Sequence, residues 1–104
     1  MQKIEIPLAE VQQGTLHPIE HGKAKLIVIR TNEKVFAFHD RCPHAFWPLS
    51  LGTVNKTVIE CAGHGWEFDM ETGNCITAPG YCLTPVAVSV DGATIRLEWA
   101  ENLP

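Results

Sequence analysis

Two short stretches of the chain, DRCPHAFWPLS at 40–50 and ECAGHGWEFD at 60–69, each bring a sulfur and an imidazole together. Cys42 and His44 stand in the first, Cys61 and His64 in the second, giving Cys-x-His, sixteen residues, then Cys-x-x-His. Thiolate and imidazole are soft to borderline ligands, so the chemistry to consider is metal binding. Three readings fit the residue types. Buried cysteines and solvated loop histidines are common, and these four residues are then ordinary ones. Cys2His2 also suits tetrahedral zinc, although structural zinc sites usually put two cysteines on one knuckle and two histidines on another. Here each turn carries one of each. That mixed arrangement suits a two-iron centre, one iron taking both cysteines and the other both histidines, so that each loop contacts both metals.

Loops with such ligands need rigid elements on either side, and the chain around them reads as strands. KLIVIRTNEKVFAF holds two β-branched and aromatic runs about Thr31, Asn32 and Glu33, and VAVSVDGATIRLEW alternates on both sides of Asp91-Gly92, a strong hairpin signal. TVIE and WEFD are two further short strands, and IEIP is predicted to pair at an edge and end at Pro7. No window longer than ten residues keeps a 3.6-residue apolar period, and there is no repeat or low-complexity stretch. The expected fold is all-β: a small antiparallel β-sandwich or barrel whose hairpin tips, bearing the Cys/His pairs, face one another.

At 104 residues the chain fits one domain, 1–104, able to bury roughly 60 to 70% of its unfolded surface. A net charge of −4 without a basic patch argues against nucleic acid as partner. The N-terminal MQKIEIPLAEVQQG lacks the charged and apolar regions of a secretory signal, and the apolar stretches fall far below the ~18 residues of a membrane span. The expectation is a cytoplasmic protein with no membrane contact. In that compartment four cysteines point to metal ligands or thiols rather than to a disulfide framework.

With its two Cys/His turns set between strands, the sequence resembles Rieske-type [2Fe-2S] ferredoxins, and the resemblance runs from the first hairpin through HGWEFDMETG to the last strand pair. It implies one [2Fe-2S] cluster, with Cys42 and Cys61 on the inner iron and His44 and His64 on the outer iron, nearer solvent. It also implies that Pro43 fixes a φ angle in the first loop, that Gly63 and Gly65 let backbone approach the cluster, unless each simply meets the need of a turn, and that TAPG, with Pro79, is a third covering loop. Two ferric ions, two sulfides, two thiolates and two neutral imidazoles sum to zero charge. One added electron leaves a single negative charge, so reduction is easier than in an all-cysteine cluster. All ligands being side chains, no position remains for substrate, and no catalytic residue is expected: such a domain moves electrons.

Respiratory members of the family have a membrane anchor and a disulfide between the cluster loops, whose places here are Trp47 and Gly63. Ring-hydroxylating oxygenases fuse the domain to a mononuclear iron domain. The chain instead resembles the small ferredoxins that pass electrons from a flavin-dependent reductase to a terminal oxygenase, often one acting on aromatic compounds, and it is expected to be a monomer. The alternative is the small Rieske-like subunit of an assimilatory nitrite reductase. High-potential members donate hydroxyl hydrogen bonds to cluster sulfur from a serine and a tyrosine after the second histidine, where this chain has Trp66 and Phe68. Cys75 and Cys82 are read as thiols, and His17, His21 and His39 as solvated residues. In HAFWPLS, Phe46 and Leu49 are expected to fold inward, and Trp47 to be partly exposed as a docking anchor, with Asp40 and Glu67 steering a basic partner.

Overall fold

The run Leu26-Ile27-Val28-Ile29 is apolar at every position because both faces of its strand are buried. In this computed structural model, which describes residues 2–31, 34–43, 47–63 and 65–100, the strands are β1 (Gln2–Pro7), β2 (Leu16–His21), β3 (Ala24–Thr31), β4 (Lys34–His39), β5 (Thr53–Asn55), β6 (Val58–Glu60), β7 (Glu67–Asp69), β8 (Ala87–Asp91) and β9 (Thr94–Trp99). They form three antiparallel three-stranded sheets, ordered β1-β9-β8, β2-β3-β4 and β5-β6-β7. The central sheet separates two cores. Leu26, Val28 and Ala37 pack with Ile95, Leu97 and Trp99 of β9, whereas Ile27, Ile29 and Phe38 pack with Ile59, Phe68, Cys42 and Cys61. A period-two strand sends alternate side chains to opposite faces, so a strand shared by two cores must be apolar throughout.

The outer sheet is buried on one side only and alternates accordingly. In β9 Ile95, Leu97 and Trp99 are buried while Arg96 and Glu98 are exposed. As expected, β1 lies at an edge and ends at Pro7. The last hairpin forms in a register one residue away from an Asp-Gly turn. Asp91 pairs with Thr94, so the two turn residues are Gly92 and Ala93, and Gly92 takes φ 62°. Glycine first in a two-residue turn is the type II′ pattern.

The β2–β3 hairpin repeats that device. His21 pairs with Ala24 across Gly22-Lys23, with Gly22 at φ 63°. Strand β2 was not expected, since Pro18 interrupts it; Pro18 is accommodated because β2 is an edge strand. Strand β5 was likewise not expected. Strands β3 and β4 pair as predicted, with Thr31 opposite Lys34, and Asn32 and Glu33, expected between them, lie outside the described residues.

The small sheet β5-β6-β7 is joined to the central one by buried Thr31, whose hydroxyl donates to the Lys56 carbonyl at 3.0 Å. Segment 84–86 lies along β4, with His39 N–H donating to Thr84 O and Val86 N–H to Ala37 O. It carries the chain from the small sheet to β8. No helix among the described residues is long and apolar enough to cross a membrane.

Candidate metal centre

The first Cys/His loop leaves the end of β4, and the second is the tip of the β6–β7 hairpin, whose last pair is Glu60 with Glu67. The two loops are closed in the same way. Cys42 N–H donates to Trp47 O at 2.8 Å, and Cys61 N–H donates to Trp66 O at 2.7 Å. Each cysteine amide therefore folds the chain back onto a tryptophan carbonyl five residues on, making the loops CPHAFW and CAGHGW. In the second, Gly65 N–H also donates to Cys61 O at 3.0 Å, with Gly65 at φ 71°, where a Cβ is unfavourable.

Outside the first closure is a second one. Asp40 accepts the Ser50 N–H and the Ser50 hydroxyl, both at 2.7 Å, one on each carboxylate oxygen. The carboxylate expected to steer a partner is thus a staple across the base of the first loop, and Glu67 remains exposed. The sequence spaces Asp40 and Ser50 ten apart, so no local motif announces the pair.

Cys42 (0% exposed) and Cys61 (1%) enter one apolar core with Ile27, Ile29, Leu49, Ile59 and Phe68. Among the described residues no cysteine is in a disulfide. Two thiolates are costly to bury in such a core without positive charge, and a metal centre supplies it. The donor chemistry therefore fits a [2Fe-2S] cluster, which Cys42 and Cys61 would hold on the core side. His44 and His64 lie outside the described residues, as does Phe46, and among those described no group of three or more His, Cys, Asp or Glu side chains converges on a metal position.

Leu49 is buried and Trp47 is 44% exposed, as expected of each. The Trp47 ring lies against Gly63: a Cβ placed there would meet Cγ and Cδ2 at 3.2 Å and Cδ1 at 3.6 Å. Gly63 thus makes room for the close approach of a side chain, and its backbone has no positive φ that would call for glycine. Phe68 is fully buried, and Trp66 meets Tyr81 edge to face at 5.0 Å.

The third loop is tied to the second. Ile76 N–H donates to Glu67 O at 2.7 Å, Glu67 N–H to the Thr77 hydroxyl at 3.0 Å, and Cys75 bridges to Phe68. Cys75 is buried in the same core as Cys42 and Cys61, its sulfur accepting from Ala78 N–H, whereas Cys82 is exposed. Asn74 pairs with Cys82 and Cys75 N–H donates to Tyr81 O, so the two cysteines fall on opposite faces of the ribbon. They are thiols, as read. His39 is half-buried rather than solvated: its Nε2 is buried with no hydrogen-bond partner, and desolvation, with Arg41 nearby, lowers its pKa below the usual 6.5.

The Rieske [2Fe-2S] domain model matches residues 3–88. Ferredoxin CarAc of Metapseudomonas resinovorans is 36% identical over 81 residues, 77% of this chain and 74% of that protein. The ferredoxin component of biphenyl 2,3-dioxygenase from Rhodococcus jostii (strain RHA1) is 31% identical over 90 residues, 86% of this chain and 84% of that one. Among solved structures, the complex of reduced oxygenase and oxidized ferredoxin in carbazole 1,9a-dioxygenase contains a chain that superposes with TM-score 0.82 at 30% identity, covering 90% of this chain and 99% of that one. Nitrite reductase small subunits match at 17% and 13% identity, which shows a common fold alone.

Proposed function

Because the chain belongs to the Rieske [2Fe-2S] domain family, we propose that it accepts single electrons from a flavin-dependent ferredoxin reductase and delivers them to a terminal oxygenase, with Cys42, His44, Cys61 and His64 as the ligands of its cluster. Among its relatives are a ferredoxin and the ferredoxin components of biphenyl dioxygenases, and the chain carries one Rieske-type cluster as an electron-transfer protein rather than an enzyme. The observation that carries the ligand assignment is the pair of like-built loops that bury Cys42 and Cys61 in one core, each with a histidine two or three residues on. When bound, the cluster supplies a one-electron couple. The protein's part is to hold two thiols in an apolar, water-poor core.

That surface suits a transient partner. Half-exposed Trp47 packs on the second loop at Gly63 and Tyr81 packs on it at Trp66, so apolar side chains flank the stretch that bears His64. Glu60 and Glu67, exposed and directly opposed at the base of the same loop, add two carboxylates and favour a partner with a basic rim. The proposal includes one domain over residues 1–104, a monomer working in the cytoplasm. It is tested by iron and sulfide analysis with electron paramagnetic resonance of the reduced protein. Cys42→Ser, Cys61→Ser, His44→Ala and His64→Ala should each abolish the rhombic Rieske signal; full retention of visible spectrum and iron in any of them would remove that residue from the ligand set. Reduction of a terminal oxygenase by reductase only when this protein is present would establish the shuttle.

A further inference from the structure

The two ligand loops arise from different sheets, and the amide-to-tryptophan closures hold each loop to itself. Among the described residues, the Trp47 side chain reaches from the first to the backbone of the second. Its indole lies over Gly63 with three ring atoms within 3.6 Å of where a Cβ would stand, while 44% of the residue remains exposed. The backbone that carries the ring is held from behind, because the Trp47 carbonyl accepts the Cys42 amide at 2.8 Å. Gly63 is held equally, sitting two residues after Cys61 in a turn closed at both Trp66 and Gly65. A packed path therefore runs from one buried thiol to the other through the Trp47–Gly63 contact. Its position in the chain is next to both histidines: Gly63 immediately precedes His64, and Trp47 follows His44 by three.

We propose that the Trp47 indole on Gly63 is a noncovalent clasp between the ligand loops, which keeps the outer side of the cluster site closed and slows entry of water and small reagents. The proposal rests on the ligand assignment above. Glycine at 63 makes the contact this close, since a Cβ 3.2 Å from two ring carbons would push the ring outward by a few tenths of an ångström. A docking anchor needs the outward face of Trp47; the clasp uses the inward one.

The test uses the reconstituted holoprotein. Bleaching of the visible spectrum by a bathophenanthroline chelator is timed in the wild type, Trp47→Ala, Trp47→Phe, Gly63→Ala and Val88→Ala, the last a truncation at the other core that lowers general stability. Deuteron coupling to the reduced cluster in heavy water reports solvent access separately. Trp47→Ala should assemble with a normal spectrum, bleach at least five-fold faster and show stronger exchangeable-deuteron coupling. Gly63→Ala should bleach two- to five-fold faster, and Trp47→Phe, which keeps a flat ring over Gly63, should stay within two-fold of the wild type.

Bleaching of Trp47→Ala at the wild-type rate, or no faster than Val88→Ala, would overturn the clasp. Were Trp47→Ala not to assemble, a wild-type rate for Gly63→Ala would overturn it equally. A wild type without a Rieske signal, or one kept by Cys42→Ser, would instead sink the ligand assignment.

Discussion

Gly52→Ala should be far more damaging than its surroundings suggest. Gly52 follows the short 3-10 turn Leu49–Leu51 and has φ −88° and ψ −156°, values open to any residue, so conformation alone does not demand glycine there. Space does. A Cβ at 52 would fall on the Glu60 carbonyl oxygen, well inside van der Waals contact, with Glu60 C at 3.1 Å and Leu49 O at 3.2 Å. All three are backbone atoms, and none can swing aside as a side-chain end would. Thr53, next in the chain, pairs with Glu60, and Glu60 immediately precedes Cys61. Relief therefore requires parting β5 from β6 beside Cys61, a proposed cluster ligand. Overpacking of this kind costs about 1–3 kcal/mol, and each pairing hydrogen bond lost adds about 1 kcal/mol. A total of about 3 kcal/mol is a large share of the ~5–15 kcal/mol of a typical domain, and lowers Tm by about 12–24 °C at ~4–8 °C per kcal/mol. The assay is a thermal melt followed at the cluster absorbance and by circular dichroism, with iron content measured first. Gly22→Ala is the control: its φ of 63° strains any side chain but no atom lies within 4 Å, so the cost is about 1–2 kcal/mol. Gly52→Ala melting within about 4 °C of wild type, or above Gly22→Ala, would refute the steric argument.

Three further outcomes are expected. The midpoint potential should lie near the low end of the Rieske range, on the order of −150 mV, since Trp66 and Phe68 have no hydroxyl for cluster sulfur, and Trp66→Ser with Phe68→Tyr should raise it; a redox titration giving a wild-type value well above zero contradicts this. Desolvation and then Arg41 lower the pKa of His39 in the folded state, so the unfolded chain takes up a proton first as pH falls through 6.5. Stability contributed by neutral His39 is thus complete above that pH and lost below it, and His39→Gln should flatten the slope of denaturation free energy between pH 6.5 and 5; an unchanged slope excludes His39 as its source. Tyr81→Ala, which uncovers Trp66, should leave the visible spectrum intact and slow electron delivery about five-fold at sub-saturating protein, equivalent to about 1 kcal/mol of encounter stability; an unaltered rate takes Tyr81 off the docking surface.

What the sequence discloses of this fold depends on the range of the interaction. The hairpins β3–β4 and β8–β9 are legible because alternation and β-branching are local, and the four ligand candidates are legible because metal ligands need particular atoms at particular spacings. Register is less so. The Asp91-Gly92 dipeptide marks the turn, yet cross-strand pairing of Asp91 with Thr94 makes Gly92-Ala93 its centre. Strand β2 is concealed by Pro18, which only its edge position explains, and the informative residue was Gly22. Contacts between loops leave no local trace. Gly63 reads as a glycine for a turn or for backbone near a cluster until Trp47, sixteen residues earlier, is found lying on it, and Asp40 reads as a surface charge until Ser50 is found on both its oxygens.

The division of β3 between two cores explains how so short a chain carries a redox site on loops. Ile27 and Ile29 form the floor under Cys42 and Cys61, while Leu26 and Val28, between and beside them, are locked against Ile95 and Leu97 of the outer sheet. The floor cannot shift without disturbing a core that contains neither cysteine. Leu49, buried in the same core as Cys42 and Cys61, follows the first loop and lies beside Ser50, whose two hydrogen bonds to Asp40 close that loop at its base. The second loop needs no such staple, since strand pairing of Glu60 with Glu67 closes its base, and Thr77 and Ile76 brace Glu67 from the third loop. Small displacement between oxidation states favours rapid electron transfer, and this arrangement supplies rigidity without large size: the loops are short, each is closed by its own cysteine amide, and the layer beneath them is fixed from the far side.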